Sequence, residues 1–373
     1  MGTNVIIIGG GLAGSAAAWA LSKDHDVTLL EQFSPGHDRG SSHGSARIFR
    51  RAYDDPFYVE LTGEAGHRWD ELQTEAGEQL LTMTGSIDFG PGDEPGRMYD
   101  LLRQHNVAAE LLPPGQARER WPQFTFGPSD TVLFHNQGGV IDADKAIEVM
   151  QRLAAGRGAS IRPEAKVTSV DPSTGTVTMQ DEQLQADTVV IAAGAWLEPL
   201  LNDHMQLPEL TIIQTQAYHH QVTGEYNWPT FIYHHDTEVL YGLPSGRDAP
   251  GCVKLGVHGA GKVTTADDRD GIPRKEAQEQ VADFVKSKTS GLAVRADSGF
   301  TCLYTQTRDK DFLIDRYQRA VIVSACSGHG AKFAPLLGHL AKALVSGDGQ
   351  RHERFAMNRQ LSARLLAHTP RRP

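Results

Sequence analysis

The chain has 373 residues, and its 46 acidic against 36 basic side chains give a formal net charge of −10. At about 150 residues per domain this length predicts two domains, and an apolar fraction of 39% is typical of a folded protein rather than a disordered one. The acidic balance argues against nucleic-acid binding, which needs clustered Lys and Arg, and three cysteines are too few for a disulfide framework.

The N-terminal segment predicts a strand, a turn, a helix and a second strand. Residues 5–8 are a β-branched run that is typical of a strand buried on both faces, and residues 27–30 form a second such run. The alanine-rich stretch at residues 12–23 predicts a helix between them. Because residues 5–21 lack a basic leader and their glycines belong to a turn, we expect no signal peptide, no membrane partner and a cytoplasmic protein.

The turn of this βαβ unit carries Gly9, Gly11 and Gly14 in the pattern GxGxxG. Such glycines allow a tight turn, close approach of the backbone to a pyrophosphate, and close packing of helix on strand. Glu31 ends the second strand, where a carboxylate can accept hydrogen bonds from both ribose hydroxyls and repel a 2′-phosphate. The context predicts a dinucleotide site, leaves NAD and FAD equally open, and makes a purely structural turn the less favoured alternative.

Later segments predict an interrupted α/β domain. Apolar spacing predicts a helix at residues 57–72, and a second helix at residues 143–155 has Asp142 as its N-cap. Buried parallel strands are predicted at residues 187–193 and 320–325. Three β segments, at residues 211–222, 230–241 and 252–258, predict an antiparallel sheet inserted between the α/β pieces. We expect residues 368–373 to be frayed.

Five further motifs change the interpretation; they are GSSHGSARIFRRAY at 40–53, KLGVH at 254–258, TCLYTQT at 301–307, DFLID at 311–315 and SGHGAKF at 327–333. In order and spacing they resemble the monomeric sarcosine oxidase family, which includes N-methyltryptophan oxidase. The resemblance implies an α/β chain in which a Rossmann-type FAD-binding domain is interleaved with an antiparallel-sheet substrate domain. The implied FAD-binding domain spans residues 1–80, 140–205 and 316–373, and the implied substrate domain spans residues 81–139 and 206–315.

The resemblance also implies an activity. It is the oxidation of a secondary, N-methyl amino acid by O₂ through FAD, in which an imine is hydrolysed to an aldehyde and a primary amino acid and H₂O₂ is released. The implied partners are a small amino-acid substrate and O₂, and we expect a monomer.

The resemblance assigns roles to individual positions in these motifs. The implied catalytic residues are Lys254, as the site of oxygen activation, together with His258, Arg47 and Tyr241. The implied cofactor-binding residues are Gly9, Gly11, Gly14, Glu31, Ser42, His43, Arg47, Cys302, Gly328, Gly330 and Lys332, with Cys302 joined covalently to the flavin. The implied substrate-binding residues are Arg50, Lys332, Tyr241 and Tyr304, of which Arg50 and Lys332 pair with the substrate carboxylate.

Strand geometry supports part of this assignment. Alternation places Cys302 and Tyr304 on one face of a strand, and it places Lys254 and His258 on one face with Gly256 leaving room for a flat ring between them. Without the resemblance, a small buried Cys302 and a solvated Lys254 are the commoner interpretations. The histidine doublets at 219–220 and 234–235 point to opposite strand faces, so we expect no metal site.

Several positions depart from the family pattern. Ser45 and Ala46 stand where an acid and a threonine are common, and Leu243 and Ala331 stand where aromatic residues are frequent. The lost bulk implies a pocket wider than one shaped for sarcosine. Two other functions stay open, namely a dehydrogenase that passes electrons to another acceptor and a nucleotide-binding module without turnover.

Overall fold

The computed structural model describes residues 2–201, 204–235, 238–349 and 351–359. The predicted fraying at residues 368–373 lies outside this range. The strands are β1 (Asn4–Ile8), β2 (Asp26–Leu30), β3 (Arg47–Phe49), β4 (Leu81–Met83), β5 (Ser86–Gly90), β6 (Ala109–Leu112), β7 (Thr131–His135), β8 (Gly139–Ile141), β9 (Ser160–Arg162), β10 (Val167–Asp171), β11 (Thr176–Met179), β12 (Gln183–Gln185), β13 (Thr188–Ile191), β14 (Leu210–Gln221), β15 (Thr230–His235), β16 (Glu238–Pro244), β17 (Cys252–Val257), β18 (Gly261–Val263), β19 (Ser298–Thr307), β20 (Leu313–Tyr317) and β21 (Ala320–Ser324). The helices are α1 (Leu12–Leu21), α2 (Pro56–Ala76), α3 (Glu94–Gln104), α4 (Pro114–Arg120), α5 (Ala143–Gly156), α6 (Leu197–Leu201), α7 (Lys275–Lys288) and α8 (Ala334–Ser346).

A six-stranded sheet, in the order β20-β21-β13-β1-β2-β9, forms the first layer. All its neighbouring strands are parallel except β20 and β21. Both faces of β1 are buried, because Val5 and Ile7 pack into one apolar cluster with α1, α5 and α8 while Ile6 and Ile8 pack into another. This double burial explains the unbroken apolar runs, and it confirms the predicted parallel strands.

A larger sheet of nine strands runs in the order β18-β14-β17-β16-β15-β5-β7-β6, and β19 pairs with β14. One face carries an apolar cluster that includes Phe89, Phe231 and Leu255 and is covered by α7. The predicted single segment at residues 230–241 is wrong, because β15 and β16 form an antiparallel hairpin. The sheet is antiparallel apart from one parallel pair, β15 with β5.

The described residues also form two small three-stranded sheets, β3-β8-β4 and β10-β11-β12. The first holds Arg47 at the start of β3, where it pairs with Ile141 of β8. Immediately after β8, the Asp142 carboxylate accepts the Lys145 amide at 3.0 Å, which confirms the predicted N-cap of α5. Among the described residues, no helix combines the length and the apolar character that crossing a bilayer requires.

Candidate active site

A cleft of about 1820 Å³ lies between the six-stranded sheet and the polar face of the nine-stranded sheet. Pockets for drug-sized ligands measure roughly 300–1,000 Å³, so this cleft has room for a dinucleotide and a small substrate together. Every predicted site residue lines it except Gly14, which lies beneath the glycine turn.

The glycine turn forms one end of the cleft. Gly9 has a φ of +99°, which favours glycine, and a Cβ on Gly14 would lie 1.8 Å from the Gly9 carbonyl oxygen. The first turn of α1 contains no acidic side chain, and Ser42 Oγ accepts the Leu12 amide at 3.0 Å. The helix N-terminus therefore offers its positive end to an anion, as a pyrophosphate requires.

The Glu31 carboxylate is fixed beside this turn by two backbone amides. Its Oε2 accepts the Gly10 amide at 2.6 Å, and its Oε1 accepts the Phe33 amide at 2.9 Å. A carboxylate oxygen can accept more than one hydrogen bond, so the group keeps acceptor capacity for ribose hydroxyls. These residues fit the adenosine end of FAD.

Two cations meet at one carbonyl oxygen near the middle of the cleft. The Arg47 guanidinium donates to the Ala46 carbonyl at 2.9 Å and to the Ser41 carbonyl at 3.1 Å, and it also bonds the His43 carbonyl. The Lys254 Nζ donates to the same Ala46 carbonyl at 2.6 Å. Burial, and then the charge of Arg47, hold the pKa of Lys254 well below its usual value.

Lys254 and Cys302 face the same cleft from different strands. Both β17 and β19 pair with β14, where His219 lies opposite Lys254 and Thr215 lies opposite Cys302. The Lys254 Nζ lies 5.3 Å from the centre of the Phe300 ring, two residues from Cys302 on the same strand face. The Cys302 Sγ lies 3.6 Å from the Ser41 carbonyl oxygen, against the loop that carries Arg47.

A second pair of cations lies at the far end of the cleft. Arg50 and Lys332 approach the ring of Tyr53, with their charged groups 4.8 Å and 5.5 Å from its centre. The Lys332 Nζ donates to the His329 carbonyl at 2.8 Å, and burial, together with the charge of Arg50, holds its pKa well below the usual value. The buried Lys332 and the half-buried Arg50 repel each other, so a carboxylate placed between them is favoured.

His258 and Tyr304 form the wall beside these cations, with ring centres 5.7 Å apart. Burial, and to a smaller extent the charges of Lys310, Arg50 and Lys332, lower the pKa of His258 to about 4, so its imidazole is neutral at neutral pH. Burial also raises the pKa of Tyr241 to about 12, so this phenol stays protonated.

At two glycines of the site motifs, Gly256 and Gly330, the structure shows a steric requirement for glycine that the sequence does not reveal. A Cβ on Gly256 would lie 2.6 Å from the Tyr241 hydroxyl, so the space predicted there for a flat ring is filled by tyrosine. A Cβ on Gly330 would lie 1.4 Å from the Ala325 carbonyl oxygen, so the backbone alone demands glycine. At Gly328, by contrast, a Cβ would meet the Tyr304 and His258 rings.

A buried carboxylate that the sequence motifs did not reveal lies at the floor of this site. Asp88 is fully buried on β5, where its Oδ1 lies 3.0 Å from the Nε2 of His234 and 3.5 Å from the Nη1 of Arg50. A lone acid inside the apolar segment SIDFG could have signalled it, because aspartate is rarely buried without a partner.

The histidine doublets do not converge. His219 bonds Ser298, and His220 bonds the Ala293 carbonyl. Within the described ranges, no three potential ligands of the His, Cys, Asp and Glu types gather as a metal site would need.

Comparison with known proteins places this geometry among flavoenzymes. The profile of the FAD dependent oxidoreductase family matches residues 4–344. The chain is 32% identical to peroxisomal sarcosine oxidase of Mus musculus, over 90% of each protein, and 32% identical to N-methyl-L-tryptophan oxidase of Yersinia pestis (strain Pestoides F), over 93% of this chain and 96% of that enzyme. It is 29% identical to monomeric sarcosine oxidase of Bacillus sp. (strain B-0618), over 98% of each.

Solved structures share the architecture. NikD, an amino acid oxidase essential for nikkomycin biosynthesis, superimposes with a TM-score of 0.85 at 21% identity, over 95% of this chain and 97% of that one. This likeness confirms the predicted fold class, an α/β chain with a Rossmann-type domain and a sheet-based partner domain.

Proposed function

The chain belongs to the FAD dependent oxidoreductase family, and we propose that it oxidises secondary, N-methyl amino acids with O₂. Its relatives establish it as an FAD-dependent oxidoreductase that acts on the CH–NH bond of amines. In the proposed reaction, an N-methyl amino acid, O₂ and H₂O give the primary amino acid, formaldehyde and H₂O₂. Bound FAD supplies the electron-accepting ring that takes two electrons from substrate and delivers them to oxygen.

The observation that carries this proposal is the cation pair at Tyr53. Arg50 and Lys332 both approach that ring from within the cleft. Two fixed cations bind a carboxylate and orient the rest of the molecule, which places the amine of an amino acid at a defined position. Carboxylate binding also favours the ammonium form of Lys332, because it replaces cation–cation repulsion with attraction.

His258 and Tyr304 enclose the amine. The amine must be neutral to be oxidised, and a neutral His258 imidazole adds no positive charge that would oppose the developing iminium. Both rings exclude water from the substrate and position it without a covalent step. His258 and Tyr304 therefore orient the substrate, and Tyr241 on β16 forms part of the same wall.

Lys254 is the proposed oxygen-activation residue. Electron transfer to O₂ creates negative charge, and a fixed cation in a buried site stabilises that charge strongly. The bonds of Lys254 and Arg47 to the Ala46 carbonyl hold both cations in place before oxygen arrives. This preorganisation favours O₂ over an alternative electron acceptor.

Cys302 is the proposed attachment point of the flavin, through a thioether. Its position on the cleft face of β19, in contact with the loop at Ser41, supports this assignment. We further propose a cytoplasmic monomer with the domain boundaries given above. The split of strands between the two large sheets supports these boundaries except the one at residue 315, which divides β20 of the six-stranded sheet, and the monomeric state named for the Bacillus relative supports the monomer.

A coupled assay on the purified holoenzyme tests the function. A panel of N-methyl, N-unsubstituted and cyclic secondary amino acids is scored for O₂ uptake, H₂O₂ and formaldehyde. We expect equal yields of peroxide and formaldehyde with N-methyl substrates, and yellow colour that remains with the acid-precipitated protein. Rapid dye reduction without peroxide would contradict the oxidase assignment in favour of a dehydrogenase.

A further inference from the structure

The floor of the proposed substrate site holds a carboxylate that the reaction itself does not require. Asp88 is fully buried on the cleft side of β5, next to Ile232 of β15. It lies between a cation and a ring, since its Oδ1 faces both the Arg50 Nη1 at 3.5 Å and the His234 Nε2 at 3.0 Å. His234 and Arg50 line the cleft, whereas Asp88 lies directly behind them.

This carboxylate is ionised. Burial raises the pKa of Asp88, but the positive charge of Arg50 and the hydrogen bond from His234 together lower it by more. The net pKa therefore lies below the ordinary value. The neighbouring His135 adds no positive charge, because burial lowers its pKa to about 4. His258 is neutral for the same reason.

The charges held at the Tyr53 ring can therefore be counted; the charge of Lys310, which also lowers the pKa of His258, is on an exposed side chain and is screened by solvent. Arg50 and the ammonium form of Lys332 contribute two positive charges, and Asp88 contributes one negative charge held against Arg50. One bound substrate carboxylate neutralises the single positive charge that remains. A second carboxylate on the substrate would find no uncompensated positive charge at this pair, and the negative charge of Asp88 behind Arg50 would repel it.

We propose that Asp88 restricts this site to amino acids with a single carboxylate, because it cancels one of the two positive charges that Arg50 and Lys332 provide. The proposal rests on the proposed function and narrows its substrate class to N-methyl amino acids whose side chains carry no carboxylate. Like-charge juxtaposition is an established way to reject a wrong ligand.

The test compares a monocarboxylate, N-methyl-L-alanine, with a dicarboxylate, N-methyl-L-aspartate, on wild-type enzyme and the near-isosteric Asp88→Asn variant. We expect wild type to prefer the monocarboxylate and Asp88→Asn to shift the ratio of kcat/KM values toward the dicarboxylate on the order of tenfold, mainly through KM. The matched control is Asp130→Asn, which removes another buried carboxylate, one that bonds the Gly127 amide and faces Lys288 outside the cleft. Asp130→Asn leaves the ratio unchanged.

A binding measurement on the wild-type holoenzyme keeps the proposal testable if Asp88→Asn does not fold. Acetate and succinate are titrated while the flavin absorbance is followed, and we expect acetate, despite its smaller size, to bind at least as tightly. Tighter binding of succinate, or equal turnover of the two N-methyl substrates by wild type, would overturn the role of Asp88. Absence of turnover with every N-methyl amino acid would instead overturn the proposed function, and the acetate and succinate comparison would still decide on Asp88.

Discussion

The two large sheets differ in how they use their faces. The six-stranded sheet buries both faces in apolar clusters, so its strands are continuous apolar runs. The nine-stranded sheet has one apolar face under α7, and its other face carries the polar residues of the cleft. In the proposed function, the first sheet therefore positions a nucleotide through its turn and backbone, while the second supplies the side chains that we propose for the chemistry. Substitutions should separate these two kinds of contribution.

The largest expected effect belongs to the polar face of the nine-stranded sheet. Replacing Lys254 with Met removes the fixed cation, and we expect flavin reoxidation by O₂ to slow by about 10²–10³-fold while flavin reduction by substrate is unchanged. Stopped-flow measurement of each half-reaction checks this. The control is Lys262→Met, at an exposed position on β18 of the same sheet. Equal loss in both half-reactions would remove Lys254 from the oxygen step.

An intermediate effect belongs to the glycine turn of the six-stranded sheet. Replacing Gly14 with Ala places a methyl group against the Gly9 carbonyl, and a backbone contact cannot relax as a flexible side chain does. We expect a destabilisation of about 3 kcal/mol and a lower FAD-to-protein ratio. Thermal unfolding and flavin absorbance measure the two quantities. Gly96→Ala in α3 is the matched control, because its Cβ meets nothing within 4 Å; similar losses in both variants would refute the packing argument.

The smallest expected effect is at Asp142, the N-cap of α5, which belongs to neither large sheet and has no proposed role in the reaction. Asp142→Ala removes the bond to the Lys145 amide and the ion pair with Arg247, and we expect a loss of about 1 kcal/mol in stability with unchanged kcat. Thermal unfolding beside steady-state assays provides the measurement. Asp181→Ala, at an exposed turn position, serves as the control. A large fall in kcat would show that α5 takes part in the site.

These differences also explain which features were predictable from the sequence. The βαβ unit and the Asp142 cap depend on neighbours within a few residues, so local patterns predicted them. The hairpin of β15 and β16 was missed because both halves have strand-like composition, and only long-range pairing divides them. Asp88 was missed for a related reason, since Arg50 and His234 reach it from distant parts of the chain. The motifs supplied candidate roles, but not the contacts between their residues.

The Ala46 carbonyl oxygen accepts hydrogen bonds from both Lys254 and Arg47, and this shared acceptor limits how substitutions can change the site. A main-chain oxygen is common to all residue types, so no exchange of one amino acid for another at position 46 deletes the acceptor. The two cationic groups are thus coupled mechanically, and any shift of this peptide unit displaces both. Substitutions of charged residues farther away can change the electrostatic potential at this site. They cannot readily move one of the two cations without moving the other.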